Sequence, residues 1–200
     1  MSARLRTTLA AVAGVVALAG PAFAAPPAPD CHGFVLTDPA GDQFIGTSAN
    51  TLVRPTTAID VTGAFLLGSG AAQTVNIQIS NLTTSPNTEY TFTWDDPVNF
   101  GAYYELHAAY LTASGAAGAG DYTLWHYSSP GGSFSLVGTS GAAFTGTNGV
   151  VQISLPAGST TFPATLTNVK VDAVQYEFNV LTDVALRRDT ASKISWTQPC

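Results

Sequence analysis

The chain has 200 residues, with 13 acidic side chains against seven basic ones, three His, two Cys and one Met. Its acidic balance argues against nucleic acid and anionic membrane as partners, because binding either one needs basic patches. Lys and Glu are scarce beside Thr, Val, Ser and Gly, a balance that favours strands joined by tight turns over helices.

Residues 1–24 read as a signal peptide. Arg4 and Arg6 give a basic start, "LAAVAGVVALAG" is an apolar core short for a bilayer span, and Ala22-Phe23-Ala24 supplies the small residues of a cleavage site. A lone membrane anchor is the competing reading. No lipobox precedes Cys31. Residues 25–30, "APPAPD", form a Pro-rich leader, and residues 31–200 are long enough for one domain with a full core. Loss of Arg4 and Arg6 leaves five bases against 13 acids. Cys31 and Cys200 sit near the two ends of this mature chain. After export to an oxidising compartment they are expected to pair as one disulfide, secreted proteins being where such bonds persist.

The first motif is "LTDPAGDQF", residues 36 to 44, where Asp38 and Asp42 flank a Pro-Ala-Gly turn. Calcium takes six to eight oxygen ligands on a bent loop. Asp38 and Asp42 could supply its charge and the Ala40 carbonyl a further oxygen. The alternative is an Asx turn in which Asp38 accepts backbone N–H groups.

Period-two alternation then runs along the chain. A strand is expected over 59–66. "TVNIQISNL" sets Val75, Ile77 and Ile79 against Asn76, Gln78 and Ser80, and "EYTFTW" sets Tyr90, Phe92 and Trp94 against Thr91 and Thr93. "TWDDPVNF" offers a second acidic turn in Asp95, Asp96 and Asn99, a candidate cation site or plain turn punctuation. Strands follow over 102–112, 121–127 and 133–138. On the first two, Tyr103, Glu105 and His107 share one parity, as do Thr123, Trp125 and Tyr127. If those sets face outward, Tyr103, Trp125 and Tyr127 form an aromatic strip on which sugar rings could stack. If they face inward, the same rings fill the core. "SGAAGAGD" and "SSPGGS" read as loops.

In "AAFTGTNGVVQISLP", Asn148-Gly149 is a strong two-residue hairpin signal. That turn predicts Thr147 opposite Val150, Gly146 opposite Val151, Phe144 opposite Ile153 and Ala142 opposite Leu155. Further on, apolar residues change parity, from Val169, Val171 and Ala173 to Val174, Tyr176, Phe178 and Val180. A bulge or strand break near Ala173 is therefore expected. About ten short strands without a helix imply an all-β, two-sheet antiparallel sandwich.

"LTDPAGDQFIG", "AIDVTGAF" and "TVNIQISNL", with the later "NGVVQISLPAG" and "ATLTNVKVDA", resemble small secreted β-sandwich domains common in actinobacteria, akin to DOMON-like and family 9 carbohydrate-binding-module-like domains. The resemblance implies a jelly-roll-like sandwich, a binding role and, in some relatives, calcium. It also implies that Asp60 lies close to Asp38 and Asp42 as a third carboxylate. No attached catalytic domain is expected, which sets this chain apart from modules that serve an enzyme.

Catalytic constellations are thin. His32, His107 and His126 lie in no nucleophile elbow or zinc-protease motif, and Asp96 with Glu105 is the carboxylate pair a glycoside hydrolase reading would use. The expected function is a secreted, non-catalytic binding module for carbohydrate or the cell envelope, with calcium at Asp38, Asp42 and Asp60 and sugar contacts at Trp125, Tyr127 and Tyr103. A structural protein that presents loops to a cell-surface protein is the first alternative, and a small secreted hydrolase the second.

Overall fold

Alternation along the chain becomes twelve strands in the computed structural model, which describes residues 25–45, 59–83, 88–109, 122–128, 133–136, 140–155, 160–178 and 184–200. They are β1 Phe34–Thr37, β2 Phe44–Ile45, β3 Val61–Leu67, β4 Thr74–Leu82, β5 Thr88–Asp95 and β6 Tyr103–Ala109. The remainder are β7 Tyr122–Ser128, β8 Ser133–Leu136, β9 Ser140–Phe144, β10 Gly146–Ser154, β11 Thr165–Phe178 and β12 Val184–Thr197. Antiparallel pairing sorts them into a five-stranded sheet, β1-β3-β4-β10-β9, and a seven-stranded sheet, β2-β12-β11-β5-β6-β7-β8. Strands β4 and β10 pair in the first sheet, and their successors β5 and β11 pair in the second. Two neighbouring strands thus cross together from sheet to sheet, which lays the sheets face to face as a sandwich.

The predicted inward rows form the core between them. Val75, Ile77 and Ile79 of β4 face Tyr90, Phe92 and Trp94 of β5, all fully buried, with Leu106, Leu124, Val151 and Ile153 beside them. Trp94 sits in an aromatic nest, its ring 5.2 Å from Tyr104 and 4.9 Å from Phe162. The two tails meet in a Cys31–Cys200 disulfide, which marks an oxidising compartment. Among the described residues, no helix is long and apolar enough to cross a membrane. The leader at 1–24, most of both Gly-rich loops and the outer ends of the strands expected over 102–112 and 133–138 lie outside the described residues.

The Asn148-Gly149 hairpin forms in a different register. Val150 pairs with Phe144, Val151 with Ala143 and Ile153 with Gly141, so the turn spans more than two residues. Asn148 takes φ 51° as expected, but the glycine with positive φ is Gly146, at 104°, and not Gly149. The cause lies on the other side of the strand. Residues 146 to 149 are held by β4, where Gly149 faces Ile79 and Gly146 faces Leu82. A Cβ on Gly149 would overlap Leu82 Cβ and the Phe144 carbonyl oxygen. This glycine therefore serves a close approach of strands. Gly149→Ala is expected to cost about 1–3 kcal/mol, read as a lower midpoint in urea unfolding.

No bulge falls at Ala173. Strand β11 keeps one register with β12 and with β5 straight through that residue, so both of its faces carry apolar side chains on an unbroken backbone. The change of face comes earlier, at Asn168, whose φ is 47°. Leu166 and Val169 are both buried although three residues apart, and the β11–β12 ladder has no pair at Asn168 between Thr167–Ser195 and Val169–Lys193.

Candidate functional site

The Pro-Ala-Gly turn places Asp38 and Asp42 beside a carboxylate from the far end of the chain. Oxygens of Asp38, Asp42 and Asp189 lie within 4.8 Å of one another, the widest span that two oxygens at about 2.4 Å from a shared calcium can have. Asp60 approaches the same turn, but its Oδ1 accepts the Gly41 N–H at 2.8 Å. It braces the loop and is not one of the three convergent acids. Asp189 is 1% exposed and accepts N–H groups from Val61 at 2.7 Å and Thr190 at 2.9 Å. Asp38 Oδ2 is buried with no hydrogen-bond partner among the described residues.

Such a cluster resists ionisation. Burial, then the charges of Asp42 and Asp60, push the Asp38 carboxyl up to about 6. Asp189 is pushed up to about 7, by burial first; the Val61 N–H works against this, and the charges of Asp38, Asp42 and Asp60 add to it. A proton or a cation can relieve the repulsion. An all-oxygen carboxylate set suits a hard divalent ion such as calcium, and the orphaned Asp38 oxygen fits the place of a ligand. Sequence reading missed Asp189. Parity gave no signal for it, because Asp189 shares the odd positions of β12 with Arg187, Lys193 and Ser195, and of that row Ala191 faces the core.

The second acidic turn closes on itself. Asp96 Oδ1 accepts the N–H groups of Val98 and Asn99, at 2.8 and 3.3 Å, and Oδ2 accepts Asn99 Nδ2 at 2.8 Å. His126 Nε2 lies 2.9 Å from Oδ2, and its ring packs 4.5 Å from Tyr104 on the core side. These contacts describe a capped turn. Glu105 belongs to the opposite parity of β6, so Asp96 and Glu105 lie on opposite faces of the sheet and are not brought together. His32 is held by Asp30 at 2.6 Å, beside the disulfide.

Burial settles the orientation of the aromatic strands. Leu106, Ala108, Tyr122 and Leu124 are in the core, so Tyr103, Glu105 and His107, with Thr123, Trp125 and Tyr127, stand on the outer face of the seven-stranded sheet. Cross-strand pairing aligns them in rows, Asp95–Tyr103–Tyr127, then Thr93–Glu105–Trp125, then Thr91–His107–Thr123. Tyr103 and Tyr127 stack with centroids 4.8 Å apart and planes at 25°. Trp125 Nε1 donates to Thr123 Oγ1 at 3.0 Å. The three rings are half-buried on this face, on strands that lie inside the sheet between β5 and β8.

No family model, curated protein or solved structure matches this chain.

Charged groups complete the outer face. His107 is clamped between two carboxylates, its Nδ1 2.6 Å from Glu89 and its Nε2 against Glu105. Burial opposes its charge, but the bonds to Glu105 and Glu89 prevail and raise its pKa to about 9. Asp172 on β11 takes Lys170 at 2.5 Å and Thr190 Oγ1 at 2.6 Å, with Arg188 at 3.5 Å. Ring faces at one side and fixed polar groups beside them can stack a flat polyhydroxylated ligand and bond its edges.

Proposed function

We propose that this protein is an exported, non-catalytic binding module that takes carbohydrate on the outer face of its seven-stranded sheet and steadies its N-terminal corner with calcium. The observation that carries the reading is the outward strip of Tyr103, Trp125 and Tyr127, with a stacked tyrosine pair at 4.8 Å, flanked by fixed polar side chains. Aromatic rings left at a surface retain unspent apolar area, and a pyranose face is a natural cover for it. Export is supported by the leader-like first 24 residues and by the disulfide. Calcium is supported by the convergence of Asp38, Asp42 and Asp189. The resemblance to DOMON-like and family 9 carbohydrate-binding-module-like domains points the same way.

Retention on a panel of soluble and insoluble polysaccharides tests this reading. Trp125→Ala is expected to weaken binding by roughly tenfold, the order of one lost aromatic stacking contact, with the melting temperature little changed. Retention on no glycan would count against the sugar reading. A second reading, contact with a cell-surface protein, draws on Val98 and Phe100, which are 83% and 102% exposed on the loop after β5. Cross-linking on intact cells that captures a protein through this loop, together with an absence of glycan binding, would favour it.

A further inference from the structure

Two clefts, one over the outer face of the seven-stranded sheet and one at the loop that follows β5, share three residues. The larger, about 590 Å³, runs along the Asp96–Gly101 loop past Phe100 to Thr165 and Thr167. The smaller, about 270 Å³, lies over Thr93, Glu105, Lys170 and Asp172. Asp95, Tyr103 and Asn168 line both. From this we infer that the clefts are one groove for a single, uncharged glycan chain, with Asn168 and Asp95 as its shared hydrogen-bonding pair and Tyr103 as its stacking floor. The inference rests on the carbohydrate reading above and narrows it to a ligand class.

Three observations converge on Asn168. Its backbone is left-handed, at φ 47°, a conformation that asparagine tolerates better than most residues but that a strand does not need. Backbone outliers of this kind are kept where they place a side chain. The β11–β12 ladder has no pair there. Its Nδ2 donates to Asp95 Oδ2 at 2.6 Å, and Thr167 Oγ1 donates to the same oxygen at 3.4 Å. The amide is thereby fixed in orientation, leaving its carbonyl as an acceptor and its second N–H as a donor. That pairing suits adjacent sugar hydroxyls, each of which both gives and takes a hydrogen bond.

Shape and charge narrow the class. A flat crystalline polysaccharide surface calls for a level row of rings, whereas Phe100 rises from a loop that walls the groove, 102% exposed. Glu105 is matched by His107 and Asp172 by Lys170, whereas Asp95, which lines both clefts, is held by the neutral Asn168 and Thr167. An uncompensated carboxylate at the join of the two clefts disfavours uronate or sulfated chains.

The test uses the mature chain and four probes: neutral β-glucan and xylan oligosaccharides graded in length, microcrystalline cellulose, polygalacturonate and oligolysine. Affinity for a neutral soluble chain is expected to rise with length until the groove is filled. Asn168→Gly keeps the backbone accessible to positive φ and removes the amide, and it is expected to weaken that affinity by about tenfold, the scale of one well-placed hydrogen bond, with an unchanged melting temperature. Asp95→Ala is expected to do the same. Glycan binding that Trp125→Ala weakens but Asn168→Gly leaves intact overturns the groove and spares the carbohydrate reading. Preference for crystalline cellulose or polygalacturonate overturns the ligand class. Binding of oligolysine alone, or of no glycan, overturns both.

Discussion

Removing divalent cations at pH 7 is expected to lower the unfolding free energy by about 3 kcal/mol relative to saturating calcium, and to have no effect at pH 4. The carboxyls of Asp38 and Asp189 are raised from 3.8 to about 6 and about 7. In the absence of a cation, the folded chain holds protons on these groups that the unfolded chain has released. The stability these two groups contribute is therefore fully present near pH 4 and below, and it is lost as pH rises through about 6 to 7, the opposite of the usual carboxylate trend. A full shift at either group corresponds to roughly 3 to 4 kcal/mol. Calcium competes with those protons, so its stabilisation appears over the same window; an ion at 100 times its dissociation constant adds about 3 kcal/mol. Thermal or urea unfolding between pH 4 and 8, with calcium and with chelator, reads both limbs. Curves that coincide at every pH would remove the cation site. Asp189→Asn is expected to abolish the calcium response and to remove the upper part of the pH dependence in chelator, leaving the part that Asp38 contributes as pH rises through about 6.

Replacing both cysteines is the second large effect. Cys31→Ala with Cys200→Ala is expected to cost up to about 5 kcal/mol, the chain-entropy value for a cross-link that closes so long a loop. The sequence separation is 169 residues. The C-terminal tail keeps other anchors: the Gln198 N–H donates to the Ala164 carbonyl at 2.8 Å, and the Gln198 amide bridges Gln73 and Pro163 at 3.0 Å each. The double variant is therefore expected to fold at low temperature and unfold at a lower denaturant midpoint, with its circular dichroism spectrum unchanged. A midpoint equal to that of the parent would show that the unfolded chain gains nothing from the missing link.

What was legible in the sequence was what local periodicity can carry. Val75–Ile77–Ile79 and Tyr90–Phe92–Trp94 announced their inward faces because every second residue was apolar, and burial follows that pattern directly. The Asn148-Gly149 register went astray for a physical reason: a turn signal reads four residues, whereas Gly149 answers to β4, whose Ile79 is 70 positions earlier. The same limit hid Asp189. Its partners, Asp38 and Asp42, belong to the other end of the chain, and only the pairing of β12 with β11 and β2 brings it to the first turn. Orientation of Trp125 was undecidable from parity, because each face of β6 and β7 carries aromatic residues. It was decided by Leu106 and Leu124, which point the opposite way into the core.

The joining of the two tails at a Cα–Cα distance of 6.2 Å has a mechanical consequence. Tension applied between the leader and the last residue would pass through the sulfur bridge and not through the strand ladders. A molecule tethered by its ends would bear load without peeling its sheets, and extension in a pulling experiment would stay near zero until the bridge was reduced.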